Sequence, residues 1–235
     1  MKTFLKTGCI VCALFLLGAL LYDWIHPKIY ITTSATLDSQ PITHIDTEKQ
    51  VVSLTFDTSS GRDDTDKILD ILDKYGIHAT FFVTGSWVEK NPDTLKRIAD
   101  SGHSLGNHSE NHKNMKSLSG AESRQEIMSV HERVKELTRV EMHLFRPPYD
   151  ACSSKLIQIA SDCGYTTVGF NCDSMDWKDY GTEAIVKAVC DSRDIENGSI
   201  VRMNCDAKFT PEALEAIILN LKERGCEFAP LSEYI

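Results

Sequence analysis

From Val51 onward the chain alternates short apolar runs with amphipathic stretches. VVSLTF (Val51–Phe56) reads as a β-strand. The next segment, up to Tyr75, places Ile68, Leu69, Leu72 and Tyr75 on one helical face, and Gly76 supplies a stop. ATFFVTG predicts a second strand. Asn91-Pro92 then opens a helix in the N-cap and N1 positions, and Gly102 closes it. A third strand covers His103–Asn107. Ala121–Leu137 follows as a long helix with Ile127, Val130, Val134 and Leu137 on one face. MHLF predicts a fourth strand, followed by a helix between Ser153 and Cys163 that Gly164 ends. TTVGFN predicts a fifth strand, with a helix from Thr182, and SIVRM a sixth. Thr210-Pro211 opens a last helix carrying Leu214, Ile217, Ile218 and Leu221, and CEFAP predicts a seventh strand.

About six or seven βα units imply parallel strands with helices outside, as an open doubly wound sheet or as a closed or incomplete barrel. No glycine-rich loop follows the first strand, which weighs against a nucleotide fold.

Ahead of this alternation, Lys2 and Lys6 precede an uncharged run from Gly8 to Tyr22. The run is short against the roughly 20 residues of a full span, but Trp24 and Ile25 extend it into the interface. Residues 1–25 therefore read as an N-terminal signal anchor or transmembrane helix; cleavage and secretion is the alternative. The preceding lysines place everything after the run on the extracytoplasmic face. Residues 26–50, rich in Thr, Ser and Pro, read as an extended stalk of up to roughly 80 Å. The main domain is then expected over residues 51–235.

Composition sharpens this little. The 235 residues are 42% hydrophobic and 25% charged, ordinary for a globular chain. A net charge of −9 without a basic stripe argues against nucleic acid as a partner. Of the eight cysteines, six (Cys152, Cys163, Cys172, Cys190, Cys205 and Cys226) lie in the domain. An extracytoplasmic site permits disulfides among them but does not choose a pairing. Cys152 and Cys163 flank one helix and are too far apart to bond.

The residues suited to chemistry fall just after predicted strands: Asp57 after the first, His108 and His112 after the third, Arg146 after the fourth, Asp173 and Asp176 after the fifth, and Asn204 after the sixth. In parallel α/β folds such positions converge at the carboxyl face, where active sites sit. His108 and His112, spaced i, i+4, can share one metal ion. Pro147-Pro148 stiffens the segment that carries Arg146 and Tyr149, and Trp177 beside two carboxylates suits stacking on a sugar ring.

TFDT, HSENH, RPPYD, DSMDW and GSIVRMN occur in the order and approximate spacing of the five motifs of the NodB-homology polysaccharide deacetylases, carbohydrate esterase family 4. The chain from Val51 to Ile235 resembles that family. The resemblance implies a distorted, incomplete (β/α) barrel and a metal-dependent hydrolase, usually with zinc. The substrate would be an N-acetylglucosamine-type polysaccharide such as peptidoglycan. By position, Asp57 matches the base, His108 and His112 match metal ligands, and Arg146 matches the residue that orients the base. The backbone N–H of Tyr149 matches an oxyanion donor, and Asp176 the carboxylate that supports a catalytic histidine. Trp177, with Asp173 and Asn204, belongs to the substrate groove. Two positions depart from the pattern. Thr58 stands where the family has a third metal ligand, for which Asp63 or Asp64 is the candidate substitute, with Asp64 otherwise capping the next helix. Asn204 stands where the family has its general-acid histidine. The expected functions are therefore a deacetylase, a catalytically silent envelope protein that binds carbohydrate, or a hydrolase of O-acetyl groups.

Overall fold

The computed structural model describes residues 40–235 apart from Ser60 and Asp194. The expected anchor and residues 26–39 of the expected stalk lie outside them. No helix among the described residues is long and apolar enough to cross a membrane.

The described strands and helices, in chain order, are β1 (Val51–Asp57), α1 (Thr65–Tyr75), β2 (Thr80–Val83), α2 (Gly85–Lys90), α3 (Pro92–Asp100), β3 (Ser104–Asn107), α4 (Gly120–Thr138), β4 (Leu144–Phe145), α5 (Ser154–Asp162), β5 (Thr166–Thr167), β6 (Cys172–Asp173), α6 (Thr182–Cys190), β7 (Ser199–Asn204), α7 (Thr210–Glu223) and β8 (Glu227–Phe228). The strands form one sheet in the order β5-β4-β3-β2-β1-β7-β6, with β8 joined to the start of β1. Every strand pair is parallel. The result is an α/β fold whose sheet curls into an open half-barrel.

Local chemistry accounts for most helix boundaries. Gly76 takes a left-handed conformation (φ 61°) and ends α1. Ser119 and Glu122 form a capping box at the start of α4. The apolar faces read from the sequence are buried: Ile68, Leu69 and Leu72 on α1, Ile127, Val130 and Val134 on α4, and Leu214, Ile217, Ile218 and Leu221 on α7. Helix α2 has no counterpart among the elements expected from the sequence. Thr84, expected at the end of a strand, instead caps this helix by accepting the N–H of Trp87.

TTVGFN is not one strand. It gives β5 over its first two residues, and the chain then crosses to the opposite sheet edge, where β6 pairs with β7. Gly169 lies in this crossing, where an added Cβ would come 3.0 Å from Thr43 Cγ2. Asp173 therefore ends β6, beside β7, and Asp176 follows it.

The side chains of β1 alternate between two environments. Val52, Leu54 and Phe56 join the large core under the helices. Ser53, Thr55 and Asp57 point inside the half-barrel, where a second apolar cluster gathers Ile45, Phe82, Leu144, Val168, Ile200 and Leu231.

Ile45 in that cluster corrects the expected boundary at Val51. Residues 41–45 form a strap across the open side of the sheet. Ile42 N–H donates to Thr167 O (2.9 Å), Gly169 N–H to Ile42 O (2.7 Å), and Ile45 N–H to Gly198 O (2.8 Å). Polar composition makes this stretch look like stalk, but its two isoleucines and its backbone groups belong to the fold.

The strap and one buried histidine each have a measurable effect on stability. Ile45→Ala should cost about 2–5 kcal/mol in urea unfolding, and a chain begun at Val51 should be less stable still. An unchanged urea midpoint for Ile45→Ala would refute the role of the strap. The histidine is His103, whose pKa burial lowers to about 4 from the ordinary 6.5. Its Nδ1 accepts the Ala79 N–H (3.1 Å) while Nε2 is buried without a partner. The unfolded chain takes up this proton below pH 6.5 and the fold does not. The contribution is whole above 6.5 and is lost as pH falls towards 4, a difference of about 3 kcal/mol. The stability difference between about pH 7 and pH 5 should therefore shrink in His103→Gln.

Candidate active site

The carboxyl ends of β1, β3, β4 and β7 surround a cavity of about 410 Å³ lined by Asp57, His108, His112, Pro147, Tyr149, Asp150, Trp177, Arg202 and Asn204. Thus Asp57, His108, His112 and Asn204 come together as their positions after predicted strands imply, with Tyr149 and Trp177 beside them. Arg146 lies beneath them, with a side chain only 1% exposed.

Arg146 organises this floor. Its Nη1 donates to Asp57 Oδ1 and to Thr55 Oγ1, both at 2.8 Å, and its Nη2 donates to Gly169 O at 2.8 Å. The guanidinium carbon lies 4.1 Å from the Phe82 ring centroid. Burial alone would push the Asp57 carboxyl up. The Arg146 guanidinium, with His108 and Arg202, outweighs it and holds the pKa below the ordinary value. Asp57 is thus an ionised, nearly buried carboxylate.

The histidine loop is fixed by its own hydrogen bonds. Asn107 Nδ2 donates to Ile127 O (2.8 Å), and its Oδ1 accepts the Ser109 N–H (2.9 Å). Ser109 Oγ accepts the His112 N–H at 3.0 Å. Ser109 and His112 both have positive φ (69° and 52°). Strain of this kind persists only where the surroundings hold it. The His108 and His112 ring centroids are 4.9 Å apart.

His108 Nδ1 lies 2.7 Å from Arg146 O, so this nitrogen carries the proton, and the lone pair of Nε2 faces Asp57 Oδ2 at 4.0 Å. Burial lowers the His108 pKa to about 4 and lowers that of His112 as well. Two neutral imidazoles beside a carboxylate suit a divalent ion of the zinc type.

The third protein donor is missing from this arrangement. Thr58 is buried, and its Oγ1 accepts the Thr84 N–H at 3.1 Å. Neither expected substitute lines the cavity. Asp64 holds the N-cap position of α1 without a side-chain cap bond, and Asp63 accepts the first helical N–H, that of Thr65 (3.1 Å). Asp64 pairs instead with Arg62 and with Lys67 (2.8 Å). Among the described residues no three His, Cys, Asp or Glu side chains are placed to enclose an ion.

Asn204 is held by Asp176. Its Nδ2 donates to Asp176 Oδ1 (2.6 Å) and its N–H to Asp176 Oδ2 (2.7 Å), while Thr210 Oγ1 donates to the same Oδ2 at 2.6 Å. Asp176 therefore keeps a partner although the expected histidine is absent. Burial pushes its carboxyl up, against these three hydrogen bonds.

Sequence reasoning passes over Arg202 and Asp150, both of which line the cavity. Arg202 Nη1 donates to Asp150 Oδ2 (2.8 Å) and Nη2 to Asp173 Oδ2 (2.6 Å). The signal is present in the chain: an arginine inside an otherwise apolar strand asks for a buried counter-ion. Asp173 thus supports Arg202 and does not itself line the cavity.

A polysaccharide deacetylase family model matches residues 44–168. The chain is 30% identical over 195 residues to the peptidoglycan-N-acetylmuramic acid deacetylase PdaA of Bacillus subtilis, covering 80% of this chain and 72% of that protein. It is 32% identical over 187 residues to a peptidoglycan-N-acetylglucosamine deacetylase of Bacillus cereus, covering 78% and 67%. Among solved structures, BA3943, described as a CE4 family pseudoenzyme from Bacillus anthracis, superposes with a TM-score of 0.78 at 33% identity, covering 83% of this chain and 69% of that one. A mutant of BA3943, 34% identical to this chain, is described as having restored enzymatic activity. The chain belongs to the polysaccharide deacetylase family, carbohydrate esterase family 4. That family includes both peptidoglycan deacetylases and pseudoenzymes.

The two-imidazole arrangement leads to a metal prediction. Thr58→Asp adds a carboxylate next to Asp57 and should tighten zinc binding at least about tenfold in competition with a chromophoric chelator, since a third protein donor is the usual complement. Equal affinity in the two proteins would show that Thr58 does not limit the site.

Proposed function

We propose that this domain takes an N-acetylated glycan of the peptidoglycan type into the cavity and hydrolyses its N-acetyl groups slowly. The observation that carries this reading is the buried Asp57 carboxylate, held ionised by Arg146 and 4.0 Å from the free nitrogen of His108, in a cavity walled by exposed aromatic residues. Trp177 and Tyr149 are 56% and 65% exposed, which suits stacking on a sugar ring.

In this reading Asp57 takes the proton of the attacking water, and Arg146 fixes the carboxylate that does so. His108 and His112 are the residues that would hold a divalent ion. When bound, that ion polarises the acetyl carbonyl and lowers the pKa of water. The Tyr149 N–H is assigned to the developing oxyanion. The departing nitrogen must still gain a proton. Asn204 has none to give, so the proton comes from solvent or from the protonated Asp57. Lack of a positioned acid costs about 10²–10⁴ in rate.

A second reading, glycan binding without turnover, is favoured by two observations. The Thr58 hydroxyl is occupied by the Thr84 N–H, and the Asn204 amide by Asp176.

The N-terminal run supports placing the domain at the extracytoplasmic face, held by residues 1–25. Recovery of the intact mature domain in the soluble fraction after cell lysis would remove the anchor from this proposal.

Acetate release is the direct test. The protein, begun no later than Pro41, would be incubated with N-acetylglucosamine oligomers and with peptidoglycan, with and without zinc. Slow zinc-dependent release is expected, abolished in Asp57→Asn and raised at least about tenfold in Asn204→His. Glycan binding with no release in any variant would establish the second reading instead.

A further inference from the structure

Tyr149 and Asp150, consecutive residues in the cavity wall, both have left-handed backbone conformations, with φ of 59° and 51°. Residues other than glycine are uncommon there and stay only where something holds them. For Asp150 the holding group is Arg202, whose guanidinium is shared with Asp173 and lies 4.2 Å from the Phe170 ring centroid.

The two partners differ in what they show to the cavity. The Arg202 side chain is 13% exposed and the Asp150 side chain 47%. The cation is thus mostly hidden and paired through its two terminal nitrogens with two carboxylates, one of which is displayed. Arg146 is matched against Asp57, and Arg202 is divided between Asp150 and Asp173. Over these five side chains, with no ion on His108 and His112, three carboxylates stand against two guanidinia. None of the hydrolytic roles assigned above uses Asp150.

We propose that Asp150, held in place by Arg202, is a specificity-determining residue: it accepts hydrogen bonds from the hydroxyls of a neutral N-acetylhexosamine and repels sugars that carry a carboxylate. This rests on the glycan reading of the cavity given above. A carboxylate fixed by a buried guanidinium cannot swing away from an incoming anion, whereas hydroxyl donors find it already positioned.

The test is a binding measurement on the full chain at low salt, read by calorimetry or tryptophan fluorescence, and it needs no turnover. Three tetrasaccharides are compared: an N-acetylglucosamine tetramer, an alternating N-acetylglucosamine–N-acetylmuramic acid tetramer, and the latter with its carboxylates methyl-esterified. The wild-type protein should prefer the neutral tetramer to the anionic one by roughly tenfold, as one like-charge contact near the surface implies. Esterification should recover most of the difference, which steric exclusion of the lactyl group would not allow. Asp150→Asn keeps the shape and Asp150→Gly suits the backbone. Both should lose the preference, and the glycine variant should be at least as heat-stable as the wild type. Equal wild-type affinity for neutral and anionic tetramers, or a preference that survives in both Asp150 variants, would overturn the proposal while leaving glycan binding intact. Failure of the wild type to bind any of the three would overturn the glycan reading and this proposal together.

Discussion

A guanidinium with a side chain 1% exposed must draw its partners from the interior, and the architecture of this domain supplies them to both terminal nitrogens of Arg146, leaving Nε without one among the described residues. Arg146 leaves the end of β4 and crosses the interior over Phe82 of β2 to reach Thr55 and Asp57 of β1. This reach works only with the strand order β4-β3-β2-β1 and a curled sheet. The backbone of the same residue is bound as tightly as its side chain. Its N–H donates to Asn107 O, and its carbonyl takes the Nδ1 proton of His108. One residue therefore sets the charge of the base, the tautomer of an imidazole and the closeness of three strand ends. Removal of the guanidinium would leave Asp57 as an uncompensated buried charge, the most costly kind of defect in such an interior.

The departures at Thr58 and Asn204 sit inside this frame without leaving gaps in it. Thr58 Oγ1 accepts a buried backbone N–H, and Asn204 with Thr210 supplies Asp176 with three donors. A site that had merely lost two functional side chains would show orphaned polar atoms at those positions. Neither Thr58 nor Asn204 nor Asp176 contributes one. The present residues are integrated partners in the packing, so restoring an acid at position 204 exchanges one satisfied network for another.

What can be read from the chain, and what cannot, divides along local and long-range lines. Ile68, Leu69 and Leu72 on α1, or Ser119 and Glu122 at the cap of α4, act within a turn or two of sequence, and their spacing reports them directly. Asp57, His108 and His112 are legible because each sits just past an apolar run that forms a strand. The misreadings of strand and stalk are settled by distant partners. TTVGFN has the composition of a strand, but only its first two residues form one, and the next strand, β6, pairs with β7 on the other sheet edge. Ile42 and Ile45 lie in a polar stretch that looks like stalk, and only Val168 and Gly198, far along the chain, give them a place. Asp63 and Asp64 are adjacent carboxylates before one helix. Their division into a cap and an ion pair depends on Arg62 and Lys67, not on their own identity.

The same long-range contacts explain how a small half-barrel keeps a charged floor dry enough to matter. Along β1, Ser53, Thr55 and Asp57 point inside in that order, so polarity increases towards the carboxyl end, where Arg146 waits. Below them Ile45, Phe82, Leu144, Val168, Ile200 and Leu231 close the interior with apolar surface. The sheet leaves its β5 and β6 edges unpaired with each other, and the strap at residues 41–45 fills that side by pairing with residues near both edges. Without it, water would reach the interior from the side opposite the cavity and raise the local dielectric around Asp57 and Arg146. Burial keeps His108 neutral, and the Arg146 guanidinium holds the Asp57 pKa down; both influences weaken as that dielectric rises. The strap ahead of β1, which supplies no group to the cavity, therefore contributes to the chemistry of the site through the environment it seals.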